Sequence, residues 1–138
     1  MDEEERQTVT QYFKQWKVQP DGSHLEEKWK RFSNWVSDPK LIHRILLDLL
    51  KAGEKSEFGH YSTALYKMEE RVPLLKGPAL VIIGKKDPFA NREKSHAFAK
   101  TIPNCREVYI EDGGIFLPSE KPVEWAELVL NFLRNNRD

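Results

Sequence analysis

With 138 residues, 39% of them hydrophobic and 32% charged, the chain is long enough for one cored domain, or one domain with a small appendage. Lys and Arg balance Asp and Glu, 22 against 22, so no net charge draws it toward nucleic acid or an anionic membrane. Cys105 is the only cysteine, which excludes an internal disulfide, and no apolar run approaches the roughly 20 residues of a membrane span.

The start is acidic, Asp2-Glu3-Glu4-Glu5, and lacks the apolar core of a secretory signal, so a cytoplasmic setting is expected. Residues 3 to about 18 read as a helix with Val9, Tyr12, Phe13 and Trp16 on one face. Pro20-Asp21-Gly22 ends it. Ser23-His24-Leu25-Glu26 fits a capping box, opening a second helix with Leu25, Trp29, Phe32 and Val36 inward. Ser37-Asp38-Pro39 is a helix start of another kind: a side-chain oxygen to cap, then a proline whose missing N–H costs nothing. The stripe Leu41, Ile42, Ile45, Leu46, Leu49, Leu50 follows and Ala52-Gly53 closes it. A fourth helix is expected from about Glu57 or Tyr61 to Glu70, with Tyr61, Leu65 and Met68 inward.

Near Val72 the character changes. Pro73, Gly77 and Pro78 break the helical pattern. Ala79-Leu80-Val81-Ile82-Ile83 is a short, unbroken apolar run, the pattern of a strand buried on both faces in a mostly parallel sheet. Asn91 can cap a helix carrying Ala97, Phe98 and Ala99. Glu107-Val108-Tyr109-Ile110 reads as a second strand. After the loop Glu111–Pro118 comes a last helix with Trp125, Leu128, Val129, Phe132 and Leu133 at helical spacing. The order is thus four helices, then β-α-β-α, an α/β arrangement with parallel strands. Two parallel strands are too few for a stable sheet. The expectation is a piece of a larger protein, or a sheet edge that pairs with another chain.

In such sheets ligands sit beyond the carboxyl ends of the strands, where Asp87 falls. Pro78–Phe89 (P-A-L-V-I-I-G-K-K-D-P-F), Ile102-Pro103-Asn104, Val108–Gly114, Glu120-Lys121-Pro122 and Phe132-Leu133 together resemble the carboxy-terminal half of an α/β-hydrolase with a helical cap. The resemblance implies a partial α/β-hydrolase fold: residues 1–72 as the cap-like region and 73–138 as the last two strands and helices. It also implies a parent that attacks an ester, amide or similar small, apolar substrate. Asp87 would then orient a catalytic histidine. Two departures stand out. These residues contain no G-x-S-x-G nucleophile elbow, and the loop Asp112-Gly113-Gly114-Ile115 has no histidine where the family carries one. Since a triad needs nucleophile, base and orienter, the chain alone is expected to be inactive. The alternative is a non-catalytic binding member of the fold, and a third reading is a small independent α/β module.

Two residues are singled out for chemistry. Asp87 can be the orienting acid or only the cap of its own turn. His60, in Phe58-Gly59-His60-Tyr61 of the cap-like region, is the one candidate for a substitute base. His24, His43 and His96 read as surface or packed residues, and no pair of histidines has metal-ligand spacing. No cofactor or metal is expected. The expected partners are the missing amino-terminal half of the fold, or a second copy of the chain at the sheet edge. Gly113-Gly114 can let a backbone approach a ligand or permit a turn of positive φ, and the turn is the favoured reading.

Overall fold

The computed structural model describes Glu4, Gln7, residues 16–90 and residues 92–136. The apolar face Val9, Tyr12 and Phe13 and the Asn91 cap lie outside these residues. The chain divides into two compact units, Met1–Met68 and Glu69–Asp138.

In the first unit, helix α1 spans Ser23–Ser33, α2 Pro39–Ala52 and α3 Phe58–Leu65, with a 3-10 turn at Gly53–Lys55. Helix α2 follows its sequence signals closely. Asp38 Oδ1 accepts the Lys40 N–H at 2.9 Å, Pro39 takes the first turn, and Gly53 ends it with φ of 70°. Leu41 and Ile42 are buried.

The start of α1 differs from the capping box. Gly22, with φ of 75°, is the residue before the helix, and no side chain caps it. Instead Asp21 Oδ1 accepts the Ser23 N–H at 3.0 Å, which holds the Asp21 carboxyl below its ordinary value. Glu26 turns outward to Lys30, one helical turn on, at 2.5 Å. The inward face also shifts. Phe32 and Val36 are buried, but Leu25 and Trp29 are 38% and 37% exposed while Lys28 is only 4% exposed. The fourth helix is shorter than expected, because the chain breaks at Tyr66 and restarts as the single turn α4, Met68–Arg71. Ala64 is its buried residue, and Leu65 and Met68 face outward at 68% and 45%.

In the second unit, a 3-10 turn at Val72–Leu74 leads to strand β1, Ala79–Gly84. Helix α5 (Arg92–Lys100), strand β2 (Cys105–Ile110), the short helix α6 (Leu117–Glu120) and helix α7 (Pro122–Asn135) follow. The strands are parallel, in register from Ala79 opposite Cys105 to Gly84 opposite Ile110. The helix between them supplies the crossover that parallel strands require. Ala79 N–H to Asn104 O (2.7 Å) and Lys85 N–H to Ile110 O (2.9 Å) continue the pairing at both ends.

Burial on both faces of β1 does not hold along its length. Only Ile83 and Gly84 are buried, and the four residues before them are half-buried. The cause is the sheet's width: among the described residues β1 pairs with β2 alone. Its other edge has no strand partner there. Of the buried side chains of this unit, Ile83 and Ile110 lie at the carboxyl ends of the strands and Leu117 begins α6 beyond the loop after β2, while Ile102 lies before the start of β2.

Candidate active site

The site begins with a close crossing. A Cβ on Gly84 would stand 2.5 Å from Gly113 O and 2.7 Å from Gly113 C, so the loop after β2 passes directly over the end of β1. Lys86 N–H donates to Gly113 O at 2.8 Å and fixes the crossing. The chain then turns. Asp87 N–H donates to Gly84 O at 3.2 Å, and Asp87 Oδ1 accepts the Phe89 N–H at 2.8 Å. Of the two sequence readings of Asp87, the turn cap is seen directly. One oxygen caps the turn, and Oδ2 accepts no bond from any described residue.

The loop after β2 is held from behind by Glu120. Its Oε2 accepts the Gly114 N–H at 2.6 Å and its Oε1 the Phe116 N–H at 3.0 Å. A Cβ on Gly114 would stand 2.6 Å from that carboxylate. The two glycines are thus required by close approach. The expected positive φ does not occur: among the described residues only Gly22 and Gly53 have one. Lys121 and Asp112 pair across the same loop, holding the Asp112 carboxyl below and the Lys121 amine above their ordinary values.

Between these two loops lies a cavity of about 310 Å³, lined among others by Ile82, Gly84, Asp87, Ser95, Ile115 and Leu117. Asp87 is the one charged side chain on its wall, and Ile115 stands across from the strand end in the loop where the family resemblance places a base. No histidine lines the cavity. A carboxylate here can orient a base or balance a cation. It has no imidazole from its own loop to act on.

His60 belongs to the first unit, where its Nδ1 lies 3.1 Å from Glu57 Oε2. Glu57 is 2% exposed and also gathers Arg31 Nη1 at 3.4 Å and Lys28 Nζ at 4.0 Å. A buried carboxylate needs such compensation. The His60 ring is half exposed. His96, on α5, turns to a second cluster: its Nδ1 lies 2.7 Å from Glu107 Oε2, Tyr109 donates to Glu107 Oε1, and Arg92 covers the Tyr109 ring at 5.4 Å. Sequence reasoning names Glu57 only as a possible helix start and Glu120 only within Glu120-Lys121-Pro122, and finds the role of neither. A glutamate at a helix start reads as a favourable charge for the dipole. Its service to distant amides or cations depends on contacts no local pattern carries. Among the described residues no group of three or more His, Cys, Asp or Glu could hold a metal ion, and no helix is long and apolar enough to cross a membrane.

The Glu107 cluster gives a pH signature. Hydrogen bonds from Tyr109, then His96, hold Glu107 below its ordinary 4.5, while the same bond raises Tyr109 above 10.0. The depressed carboxylate contributes stability above 4.5 that fades as pH falls through its folded value. The raised phenol contributes below 10.0 and fades as pH rises through its folded value. In urea titrations the gap between the wild-type chain and Glu107→Gln should therefore be widest between those limits and narrow at either end. A gap independent of pH would disprove the coupling.

The parallel strands and their crossover helix are part of an α/β-hydrolase fold, as the likeness to a solved esterase shows. The chain belongs to the serine hydrolase (FSH1) family, whose profile matches residues 9–126. It is similar to a thermophilic esterase from Thermogutta terrifontis, solved with malate bound, with a TM-score of 0.69 and 26% identity over 98% of this chain and 50% of that one. It is also 29% identical over 68 residues to human monoacylglycerol lipase ABHD6, covering 49% of this chain and 20% of the lipase. The chain thus spans half the length of the esterase and a fifth of the lipase.

Proposed function

We propose that these residues form the cap (1–72) and the acid-bearing carboxy-terminal portion (73–138) of a hydrolase that attacks an ester, amide or similar small substrate. The observation that carries this is the cavity in which Asp87, at the end of β1, faces the loop after β2. An ester substrate with an apolar body accords with the esterase and lipase among the similar proteins. Asp87 serves as the orienting acid. His60, whose Nδ1 lies 3.1 Å from Glu57 Oε2, is the candidate substitute base. The nucleophile comes from the other half of the fold. The edge of β1 that β2 leaves open takes that half, or a second copy of this chain. The single cysteine and the lack of a long apolar helix among the described residues accord with a cytoplasmic setting.

The purified chain should not turn over p-nitrophenyl butyrate above the buffer rate. Turnover removed by Asp87→Asn or His60→Gln would show that it carries its own nucleophile. Where a nucleophile elbow is supplied, in cis or by a second chain, Asp87→Asn should lower kcat by about 10²–10⁴. Unchanged kcat there would remove Asp87 from the mechanism. Light scattering on the chain alone should show self-association, and a stable, cooperatively unfolding monomer would refute the open-edge proposal.

A second reading, a non-catalytic binding member of the fold, is favoured by one observation: an isoleucine, not a base, faces the cavity from the loop after β2. An elbow-bearing form that binds but never hydrolyses would select it.

A further inference from the structure

The wall of the Asp87 cavity has a composition of its own. Ile82, Ile115 and Leu117 are apolar, and Asp87 is the one charged group. Lys85, close by in sequence, is engaged with Glu111, and the Glu120 carboxylate is spent on the amides of Gly114 and Phe116. Asp87 Oδ1 is committed to Phe89 N–H. Oδ2 is therefore an acceptor at an apolar-walled cavity, with no cation among the lining residues. A half-buried carboxylate in that setting favours a positively charged donor. The cavity volume of about 310 Å³ admits a small organic molecule and falls at the low end of ligand sites.

We propose that this cavity binds a protonated organic amine with a short apolar tail, its ammonium on Asp87 Oδ2 and its tail against Ile82, Ile115 and Leu117. The inference rests on reading Asp87 as the orienting acid with Ile115 in the place of its base. The ammonium takes the position that an imidazolium would hold, and Ile115 supplies apolar surface where a histidine would have filled the space. The same oxygen cannot orient a catalytic imidazole at the same time. A bound amine is accordingly an inhibitor of the proposed hydrolysis.

The test is an ¹H–¹⁵N NMR titration of the full chain at pH 7 with n-butylammonium chloride, with n-butanol and sodium butyrate as matched controls. Saturable shifts at Gly84, Asp87 and Ile115 are expected with the amine. Asp87→Asn keeps the acceptor for Phe89 N–H and should weaken binding roughly tenfold or more, the loss of one charge-assisted bond. Equal binding of n-butanol, unaltered affinity in Asp87→Asn, or no saturable shift would overturn the proposal. Ile115→His separates this from failure of the underlying reading. If residue 115 occupies the base's place, the introduced imidazole should titrate above the ordinary histidine value, fall back when Asp87→Asn is added, and exclude the amine. A raised imidazole without amine binding in the parent chain sinks the amine and leaves the acid's role standing. An imidazole indifferent to Asp87 sinks the reading itself.

Discussion

Gly84→Ala is expected to destabilise the second unit by about 3 kcal/mol or more, a large effect for one methyl group. The added Cβ would lie 2.5 Å from Gly113 O and 2.8 Å from Gly114 O, both of them backbone atoms. A flexible side chain could swing aside. Here the loop after β2 must lift, and it is pinned by the bond from Lys86 N–H to Gly113 O and by Glu120. Lifting it would also uncover Ile110, a large side chain at 2% exposure. Gly77 is the control, because a Cβ there meets nothing within 4 Å. Gly77→Ala should be close to neutral, or slightly stabilising through the unfolded chain. Urea unfolding followed by circular dichroism measures both. Equal midpoints for the two variants would show that the crossing is looser than the distances say.

That crossing was only partly legible in the sequence, and the reason is physical. Ser37-Asp38-Pro39 and Ala52-Gly53 marked the two ends of α2, because a cap, a first-turn proline and a terminating glycine act on atoms a few bonds away. The apolar run gave β1, and Val108–Ile110 gave the core of β2, which pairing extends back to Cys105. Burial was less readable. Ala79–Ile82 have the composition of a doubly covered strand, yet cover comes from neighbouring strands, and β2 is the only one among the described residues. Lys28 reads as a surface lysine between two inward residues. Its burial is set by Glu57, 29 positions away in sequence (28 to 57), which no periodicity encodes. Gly113-Gly114 was visible as a special pair, but the cause was misread. A glycine needed for a φ angle and a glycine needed for space look the same in a sequence.

The same limit hid what Glu120 holds, and its removal is the other large effect expected. Glu120→Ala leaves the N–H groups of Gly114 and Phe116 without their acceptor, and Gly114 is buried. A bond to a charged group contributes about 1.5–3 kcal/mol, and an orphaned buried donor costs about 1–3 kcal/mol. The two bonds share one carboxylate, and Phe116 is half-buried, so the combined loss should be about 2–4 kcal/mol. Glu120→Gln should not restore it. The amide offers one acceptor oxygen and presents an NH₂ group to the second N–H. Truncating the neighbouring Lys121, whose bond to Asp112 is open to solvent, should matter much less. Amide hydrogen exchange discriminates between a local clamp and a general loss of stability. In Glu120→Gln, exchange at Gly114 and Phe116 should accelerate more than at Ile83 or Ile110 in the strands. If all four accelerate together, Glu120 supports the unit as a whole. If none does, the carboxylate does not hold the loop, and the direction in which residue 115 faces the Asp87 cavity must be set by the crossing at Gly84 alone.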